Sequence, residues 1–325
     1  MTQLAARSPG MAAKPTNPHR GDRGLLKVLA AASLMGTLGP LAAVAYDEGV
    51  GPATFSALRA GLGAAILGGM LVAHRQPSID LRSLAANQRA RLAVAVVING
   101  LMNLALFLAF GAMAVGLVMV VYYTYPALVA VMSAALGRDR LTPTRIGAIA
   151  VASAGLVVLI GSQLDPGAHA TATGLWLAFL AAAGQAGYLV VIRDGFDDVP
   201  AVQATSLVLA GGLVISGTAA IMMQGTDVIG PWVAAPAAWL AIVCAGTFGA
   251  APKAWVIGGV RAIGSTRAAV AMTVEPVVAV VVAALALGQG LTELELVGGA
   301  AILVAVVLVQ QPAPPTPATL RDGIG

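Results

Sequence analysis

The chain has 325 residues, of which 58% are hydrophobic and 10% are charged, and its formal net charge is +4. A soluble domain carries about 25% charged residues, so this chain cannot cover its apolar residues with a water-soluble surface. The composition therefore predicts an integral membrane protein. It excludes an intrinsically disordered chain and, because Cys244 is the single cysteine, a disulfide scaffold.

The apolar residues fall into ten blocks, each long enough for one membrane-spanning helix. About 20 residues at 1.5 Å per residue cross a hydrocarbon layer of about 30 Å, whereas barrel strands would alternate over about ten residues. We therefore predict an all-α integral membrane protein with ten transmembrane helices. The predicted spans, numbered 1 to 10, are residues 25–45, 53–73, 92–112, 116–136, 143–162, 172–192, 199–223, 236–257, 265–287 and 293–310.

Both ends of the chain are rich in proline, glycine and polar residues. Residues 1–24 and 311–325 lack a periodic apolar face, so we predict that they are disordered tails. Ala43-Val44-Ala45 at the end of span 1 resembles a signal-peptidase site after a basic leader. We favour a retained helix, because the first block is longer than the apolar core of a signal peptide.

Lysine and arginine are distributed on one side of the predicted membrane. With the N-terminus in the cytoplasm, 16 of the 18 basic residues fall on the cytoplasmic side, and the loops on the other side hold only acids. This split follows the positive-inside rule and indicates that both termini are cytoplasmic. The basic residues are spread over several loops, which favours contact with anionic lipid headgroups and argues against nucleic-acid binding.

The two halves of the chain carry a weak internal repeat. We predict a first five-helix repeat at residues 25–162 and a second at residues 172–310. Because five is odd, the second repeat enters the membrane from the opposite side, and such inverted repeats are typical of secondary transporters. A shift of 150 residues places residues 122–159 on 272–309 with seven identities, including Pro126 on Pro276 and Leu141-Thr142 on Leu291-Thr292.

In these features the sequence resembles the drug/metabolite transporter superfamily, and within it the EamA-type exporters. The resemblance rests on the five-plus-five layout, on Arg59 in the segment FSALRAGL, and on the order Pro, Gly, Leu-Thr, Gly-rich helix in each half. It implies ten helices around a central cavity and export of amino acids or related small metabolites through a bacterial-type inner membrane. The chain departs from the family pattern before Leu-Thr, where Asp139 and Gln289 stand in place of the frequent Glu.

Three charged residues lie inside predicted spans, namely Arg59, Lys253 and Glu275. A charge at a helix centre costs about 2.5–3.5 kcal/mol on insertion scales, so each needs a partner or a hydrated cavity. One interpretation is an ion pair of Glu275 with Lys253 or with Arg59. The other is that both cations extend to the headgroups and that Glu275 is paired only structurally. Because Glu275 is too short to reach either surface, we predict that it acts in transport or coupling.

Prolines interrupt two of the predicted helices at matching positions. Pro126 and Pro276 cannot donate a backbone hydrogen bond, which leaves the carbonyl groups of Tyr122 and Met272 without their helical partner. We predict a hinge at each proline. A purely structural kink is the alternative interpretation.

Neutral polar residues recur at helical spacing near these positions. Amides and phenols suit the carboxylate and amine of a zwitterion or the hydroxyls of a metabolite, and they also suit hydrogen bonds between helices, which is the alternative. We expect several of them to face a cavity with the three charged residues. The pairs that share a helix face are Asn99 with Asn103, Tyr122 with Tyr125, Gln185 with Tyr188, and Gln203 with Ser206.

The sequence predicts neither an enzyme nor a cofactor or metal site. It contains no phosphate-binding G-x-x-x-x-G-K-[ST] motif, and its three histidines lie in a tail and in two loops on opposite sides of the membrane. We predict a secondary transporter driven by a proton or substrate gradient, whose partners are a small-molecule substrate, the lipid bilayer and a coupling proton. A homodimer, a sugar or nucleotide-sugar exchanger and a non-transporting scaffold or regulatory subunit are left open.

Overall fold

A computed structural model describes residues 18–73, 75–113, 115–138, 142–161, 170–278, 281 and 292–310. Within these ranges the regular structure is helical, without a strand. The α-helices of the described residues are α1 (Pro18–Met35), α2 (Leu38–Asp47), α3 (Pro52–Val72), α4 (Ala86–Ala112), α5 (Val115–Tyr122), α6 (Tyr125–Ala135), α7 (Pro143–Gly161), α8 (Ala172–Asp194), α9 (Ala201–Gln224), α10 (Pro236–Ile263), α11 (Ser265–Met272), α12 (residues 274–278) and α13 (Glu293–Gln310).

The helices follow the predicted spans in order and position. Among the described residues, eight stretches are long and apolar enough to cross a membrane, when α1 is counted with α2 and α5 with α6. The helix α13 contains a shorter apolar stretch, Leu296–Val309. Helices α11 and α12 begin the span predicted at 265–287, and the rest of that span, apart from residue 281, lies outside the described residues. The prediction of an all-α membrane protein is confirmed.

Several helices extend beyond the predicted spans at one end of the bundle. Helix α1 begins at Pro18, so the tail predicted at 1–24 is wrong for residues 18–24, and residues 1–17 and 311–325 lie outside the described ranges. The extension is stabilised by packing of α1 on α10, where a Cβ added to Gly24 would lie 2.6 Å from Cβ of Ala262. Hydropathy cannot detect such contacts, because these turns also carry arginine and aspartate.

Contacts between helices follow a two-fold pattern that exchanges the two halves of the chain. Helix α4 packs on α8 as its counterpart α10 packs on α1, and α4 contacts α9 as α10 contacts α3. Helix α3 also packs on its own counterpart α9, and α7 on its counterpart α13. Successive spans run in opposite directions, so counterparts five spans apart are antiparallel. The axis of the two-fold rotation that exchanges the two halves must therefore lie in the membrane plane, which makes the halves inverted repeats.

Glycine allows the last spans of the two repeats to approach closely. A Cβ added to Gly155 of α7 would lie 2.8 Å from the carbonyl oxygen of Gly298 of α13. A Cβ added to Gly298 would lie 2.7 Å from the carbonyl oxygen of Gly155. These distances are shorter than real Cβ contacts, so both positions require the smallest residue. Contact between helix backbones through small residues is the usual packing mode in a bilayer, where hydrophobic association is weak.

Within the described residues, three spans are interrupted by a threonine followed by a proline. The interruption separates α1 from α2, α5 from α6, and α11 from α12, and the proline comes two or three residues after the threonine, at Pro40, Pro126 and Pro276. Each threonine hydroxyl supplies a donor to a carbonyl near the end of the preceding helix, which would otherwise lack one. The bonds are Thr37 Oγ1 to Leu34 O at 2.9 Å, Thr124 Oγ1 to Val121 O at 2.8 Å and Thr273 Oγ1 to Val270 O at 2.6 Å.

Candidate substrate and coupling site

A small cavity inside the bundle is lined by all three charged residues that the sequence places within spans. Arg59 projects from α3, Lys253 from α10 and Glu275 from α12, next to the break between α11 and α12. The cavity has a volume of about 50 Å³. A water molecule needs about 10–15 Å³ on this measure, whereas ligand pockets span about 300–1,000 Å³, so this conformation admits a few waters and not a metabolite.

The charged side chains are buried rather than extended to the membrane surface. Arg59 is 4% exposed, Lys253 is 6% exposed and Glu275 is 7% exposed. The interpretation in which Lys253 and Arg59 reach the headgroups is therefore wrong. The ion pair proposed from the sequence is also not formed, since among the described residues neither cation lies within 4 Å of Glu275 and both donate to amides instead.

Two asparagines of α4 connect the two cations. Arg59 Nη2 donates to Oδ1 of Asn103 at 2.5 Å, and Lys253 Nζ donates to Oδ1 of Asn99 at 2.9 Å. Asn103 Nδ2 in turn donates to the backbone oxygen of Asn99 at 2.8 Å and to its Oδ1 at 3.2 Å. We call this chain from Arg59 through Asn103 and Asn99 to Lys253 the amide bridge. In the part of the chain that the structure describes, both buried cations are thus solvated by amide oxygens, and neither forms an ion pair.

Aromatic rings contact both cations of the amide bridge. The guanidinium carbon of Arg59 lies 4.6 Å from the centre of the Phe107 ring, and Lys253 Nζ lies 5.9 Å from the centre of the Tyr188 ring. The attraction between a cation and a ring face is larger in a desolvated site. Gly249 leaves the space that Arg59 occupies, since a Cβ there would lie 3.2 Å from Nη1.

Tyrosines of the interrupted span 4 lie close to Glu275. The carboxylate interacts electrostatically with the hydroxyl groups of Tyr122, Tyr123 and Tyr125. Tyr122 lines the cavity, whereas Tyr125 is fully buried and donates to the backbone oxygen of Ala269 at 3.3 Å. Glu275 therefore lies next to the break of span 9 and close to the break of span 4, where a change in either helix would alter its surroundings.

The remaining predicted polar residues divide between the cavity and helix packing. Gln185 and Tyr188 line the cavity with Asn103, while Asn99 lies behind it in the amide bridge. Gln203 instead bonds the backbone of Ile79, accepting at 3.0 Å and donating at 2.8 Å. Gln203 thus fixes the connection before α4 and has no part in the cavity.

Sequence reasoning missed the apolar side of the cavity. Phe107 and Phe110 of α4 line it together with four methionines, one each from spans 1, 3, 4 and 9. Methionine is flexible and polarisable, so it can adjust to ligands of different shape. No signal in the sequence separates these residues from the other apolar residues of the same spans. The methionines are Met35, Met102, Met119 and Met272.

An aromatic cluster separates the cavity from a groove at one end of the bundle. We call this end, which carries the α2–α3 and α4–α5 connections, the acidic end, and the opposite end, with the α3–α4 and α8–α9 connections, the basic end. The groove has a volume of about 450 Å³ and is lined by Tyr46, Asp47 and Phe110, of which Phe110 also lines the cavity. Edge contacts join Tyr46 to Phe55, Phe55 to Phe107 and Phe107 to Phe110, with ring centres 5.8, 5.3 and 5.7 Å apart.

The basic end is closed by packing between α10 and the α8–α9 connection. Arg261 donates to the backbone oxygens of Val199 at 2.8 Å and Phe196 at 2.9 Å, and it lies 3.6 Å from a carboxylate oxygen of Asp197. Phe196 and Val260 are fully buried. Several bonded and packed residues therefore separate the cavity from the basic end, whereas the aromatic cluster separates it from the groove at the acidic end.

Comparison with known proteins agrees with the fold and with the two repeats. The model of the EamA-like transporter family matches residues 22–161 and again residues 172–310. A crystal structure of a chain with 22% sequence identity covers 88% of this chain and 97% of its own length, with a TM-score of 0.70, and it supports the fold alone. No curated protein matches the sequence significantly. The two matches of the family model cover most of the chain, which therefore belongs to the EamA-like transporter family.

Proposed function

We propose that this transporter exports a small metabolite such as an amino acid, and that it uses a proton or substrate gradient for alternating access. We also propose that it lies in a bacterial-type inner membrane with both termini in the cytoplasm, as the distribution of basic residues indicates. The observation that carries the proposal is the buried carboxylate of Glu275 in a cavity between two interrupted spans.

Glu275 is the proposed coupling residue. An ionisable residue inside a membrane is expensive, so its presence in a cavity without an ion pair supports a function in binding. The carboxylate can bind either a proton or the amine of a substrate. Because the two ligands compete for one group, a proton that enters from outside displaces the substrate and the substrate leaves. This competition produces antiport, which drives export.

The cavity must widen during the cycle, since its present volume of about 50 Å³ is too small for a metabolite. The breaks before Pro126 and Pro276 allow parts of spans 4 and 9 to move without breaking complete helices. Glu275 comes two residues after Thr273 at the break of span 9, and the break of span 4 belongs to the other, inverted repeat. Movement of one repeat against the other would expose the cavity at the acidic end and at the basic end in turn.

Counterflow in proteoliposomes tests this function. The purified protein is reconstituted with an unlabelled amino-acid mixture inside, and uptake of labelled amino acids is measured at several external pH values. We expect pH-dependent exchange for the unmodified protein. For Glu275→Gln, which resembles a permanently protonated carboxyl group, we expect weak exchange that no longer depends on pH. Glu48→Gln is the matched control, because Glu48 is exposed at the acidic end.

Two outcomes would contradict the proposal. Undiminished pH dependence in Glu275→Gln would remove Glu275 from coupling. Absence of exchange for every amino acid, together with absence of any ligand-dependent thermal stabilisation, would favour a non-transporting scaffold.

A nucleotide-sugar carries at least two negative charges, whereas Arg59 and Lys253 opposed by Glu275 leave a single positive charge, so the cavity favours a smaller and less charged substrate.

A further inference from the structure

We propose that Arg59 and Lys253 form a carboxylate-binding subsite for a substrate with one carboxylate and an apolar body. The inference rests on the transport function proposed above and names the chemical class of its substrate. It assigns to the amide bridge a binding role that is separate from the role of Glu275. The substrate carboxylate would lie between the two cations, and its apolar part would lie against the methionines and Phe107.

The first argument is the missing counter-ion. Both cations are more than nine-tenths buried, and among the described residues neither forms an ion pair. Amide oxygens of Asn103 and Asn99 supply dipoles in place of a negative charge. A buried charge without an opposite charge is unfavourable, and a bound carboxylate would remove much of that cost. The site is therefore prepared for an anion.

The second argument is a set of unused hydrogen-bonding groups around the same place. In the described part of the chain, Arg59 Nε, Asn99 Nδ2 and the Tyr188 hydroxyl are buried and have no hydrogen-bond partner. Arg59 and Tyr188 line the cavity directly. Buried polar groups in native proteins are almost always satisfied, so several unsatisfied donors together indicate an absent acceptor. A carboxylate in the cavity can accept from Arg59 and from Tyr188, the two of these residues that line it.

The third argument selects a monocarboxylate. The cavity contains two cations and one carboxylate, so an ionised Glu275 leaves one positive charge for the ligand to neutralise. A phosphate dianion would exceed this charge and would be repelled by Glu275. Four methionines and two phenylalanines complete the lining, and they favour an apolar body. An amine on that body could reach Glu275, which would make the ligand a zwitterion.

Thermal unfolding of the purified full-length protein tests the subsite without requiring transport. The probes are the sodium salts of acetate, propionate, butyrate and hexanoate. Their controls are sodium chloride and the primary alcohols of equal chain length, with sodium chloride added so that the ionic strength is the same throughout. We expect carboxylates to raise the unfolding temperature, more so with longer chains, while chloride and the neutral alcohols do not. An equal shift with chloride or with the alcohols would overturn the proposal.

Substitution of each cation tests whether the shift in unfolding temperature depends on Arg59 and Lys253. Arg59→Gln and Lys253→Gln should each weaken the apparent affinity for hexanoate by about thirtyfold or more, because each removes one partner of a buried charge pair. Arg82→Gln, at an exposed arginine of the α3–α4 connection, should retain the affinity. If Arg59→Gln does not fold, Lys253→Gln decides alone, and an unchanged affinity in Lys253→Gln would refute the subsite.

Asn103→Asp gives an independent test that does not depend on loss of folding. The variant places a carboxylate at the atom that already accepts from Arg59. We expect a higher unfolding temperature without ligand and no further stabilisation by hexanoate, because the internal carboxylate occupies the subsite. A lower unfolding temperature with an intact hexanoate response would count against it. Hexanoate binding without amino-acid counterflow would support the subsite and contradict the proposed function. Amino-acid counterflow without hexanoate binding would support the proposed function and contradict the subsite.

Discussion

The ammonium group of Lys253 lies 2.9 Å from the side-chain oxygen of Asn99, so a cation of the second repeat is held by an amide of the first. The 150-residue shift pairs Lys253 with Asn103, the residue that accepts from Arg59. The two counterpart helices α4 and α10 thus carry an amide and a cation at equivalent positions. At this pair of equivalent positions the inverted repeats therefore differ in charge, although their helices correspond.

The amide bridge contributes to folding as well as to the cavity. We expect Asn103→Leu to lower the free energy of unfolding by about 1–3 kcal/mol, because Arg59 loses an acceptor while it stays buried. Equilibrium unfolding in mixed micelles measures the change. Leu101→Ala, at an exposed position of the same helix, should have a smaller effect. Equal losses in both variants would show that the bridge adds no stability.

The helix breaks at prolines predict that removal of a proline slows transport without lowering stability. Pro276→Ala restores a donor for the carbonyl oxygen of Met272, and one backbone hydrogen bond contributes about 0.5–1.5 kcal/mol. If span 9 must bend in every cycle, counterflow should slow by about two- to tenfold while stability is retained or increased. Pro236→Ala is the control, since Pro236 lies in the first turn of α10, where no helical bond is lost. Faster counterflow in Pro276→Ala would exclude a hinge there.

The contact between α7 and α13 predicts different effects for two glycines of one helix. Gly155→Leu places a side chain against the backbone of Gly298, and overpacking of this kind costs about 1–3 kcal/mol or more. Gly147→Leu should be tolerated, because a Cβ there meets no atom within 4 Å. The yield of monodisperse protein and its unfolding temperature compare the two variants. A well-folded Gly155→Leu protein would contradict the packing of these two spans.

The aromatic cluster predicts which side of the cavity is more easily opened. Phe110→Ala should connect the cavity with the groove at the acidic end, since Phe110 lines both. In a Cys244→Ala background, the thiol introduced by Met119→Cys should react severalfold faster with a membrane-impermeant thiol reagent added at that end. Phe179→Ala, which removes an exposed ring from α8, should leave the rate unchanged. No increase in Phe110→Ala would show that other residues close the path.

The charge distribution predicts that both ends of the chain lie on one side of the membrane. Reporter tags fused to the N-terminus and to the C-terminus should both give a cytoplasmic signal, since the basic residues lie on that side. A third fusion in the α7–α8 connection should give the external signal. Ends on opposite sides would require an odd number of spans and would contradict the inverted repeats.

The sequence by itself determined the membrane class, the order and position of the spans, and which three charged residues lie within spans. These features depend on the length of apolar blocks and on single residues, so they can be read without knowing any contact. The internal repeat followed from spacing, because Pro126 and Pro276 lie 150 residues apart in equivalent helices. The prolines also marked two of the three interrupted spans, and the break at Thr37 was missed.

Only the tertiary structure decided the partners of the charges. Depth along a helix placed Glu275 within reach of Lys253 and Arg59, but rotation about the helix axes turns both cations toward Asn99 and Asn103. Side chains at equal depth meet only when their helices present the same face. That orientation depends on helix packing over the whole bundle, including close contacts such as Gly155 with Gly298, and no local pattern of residues records it.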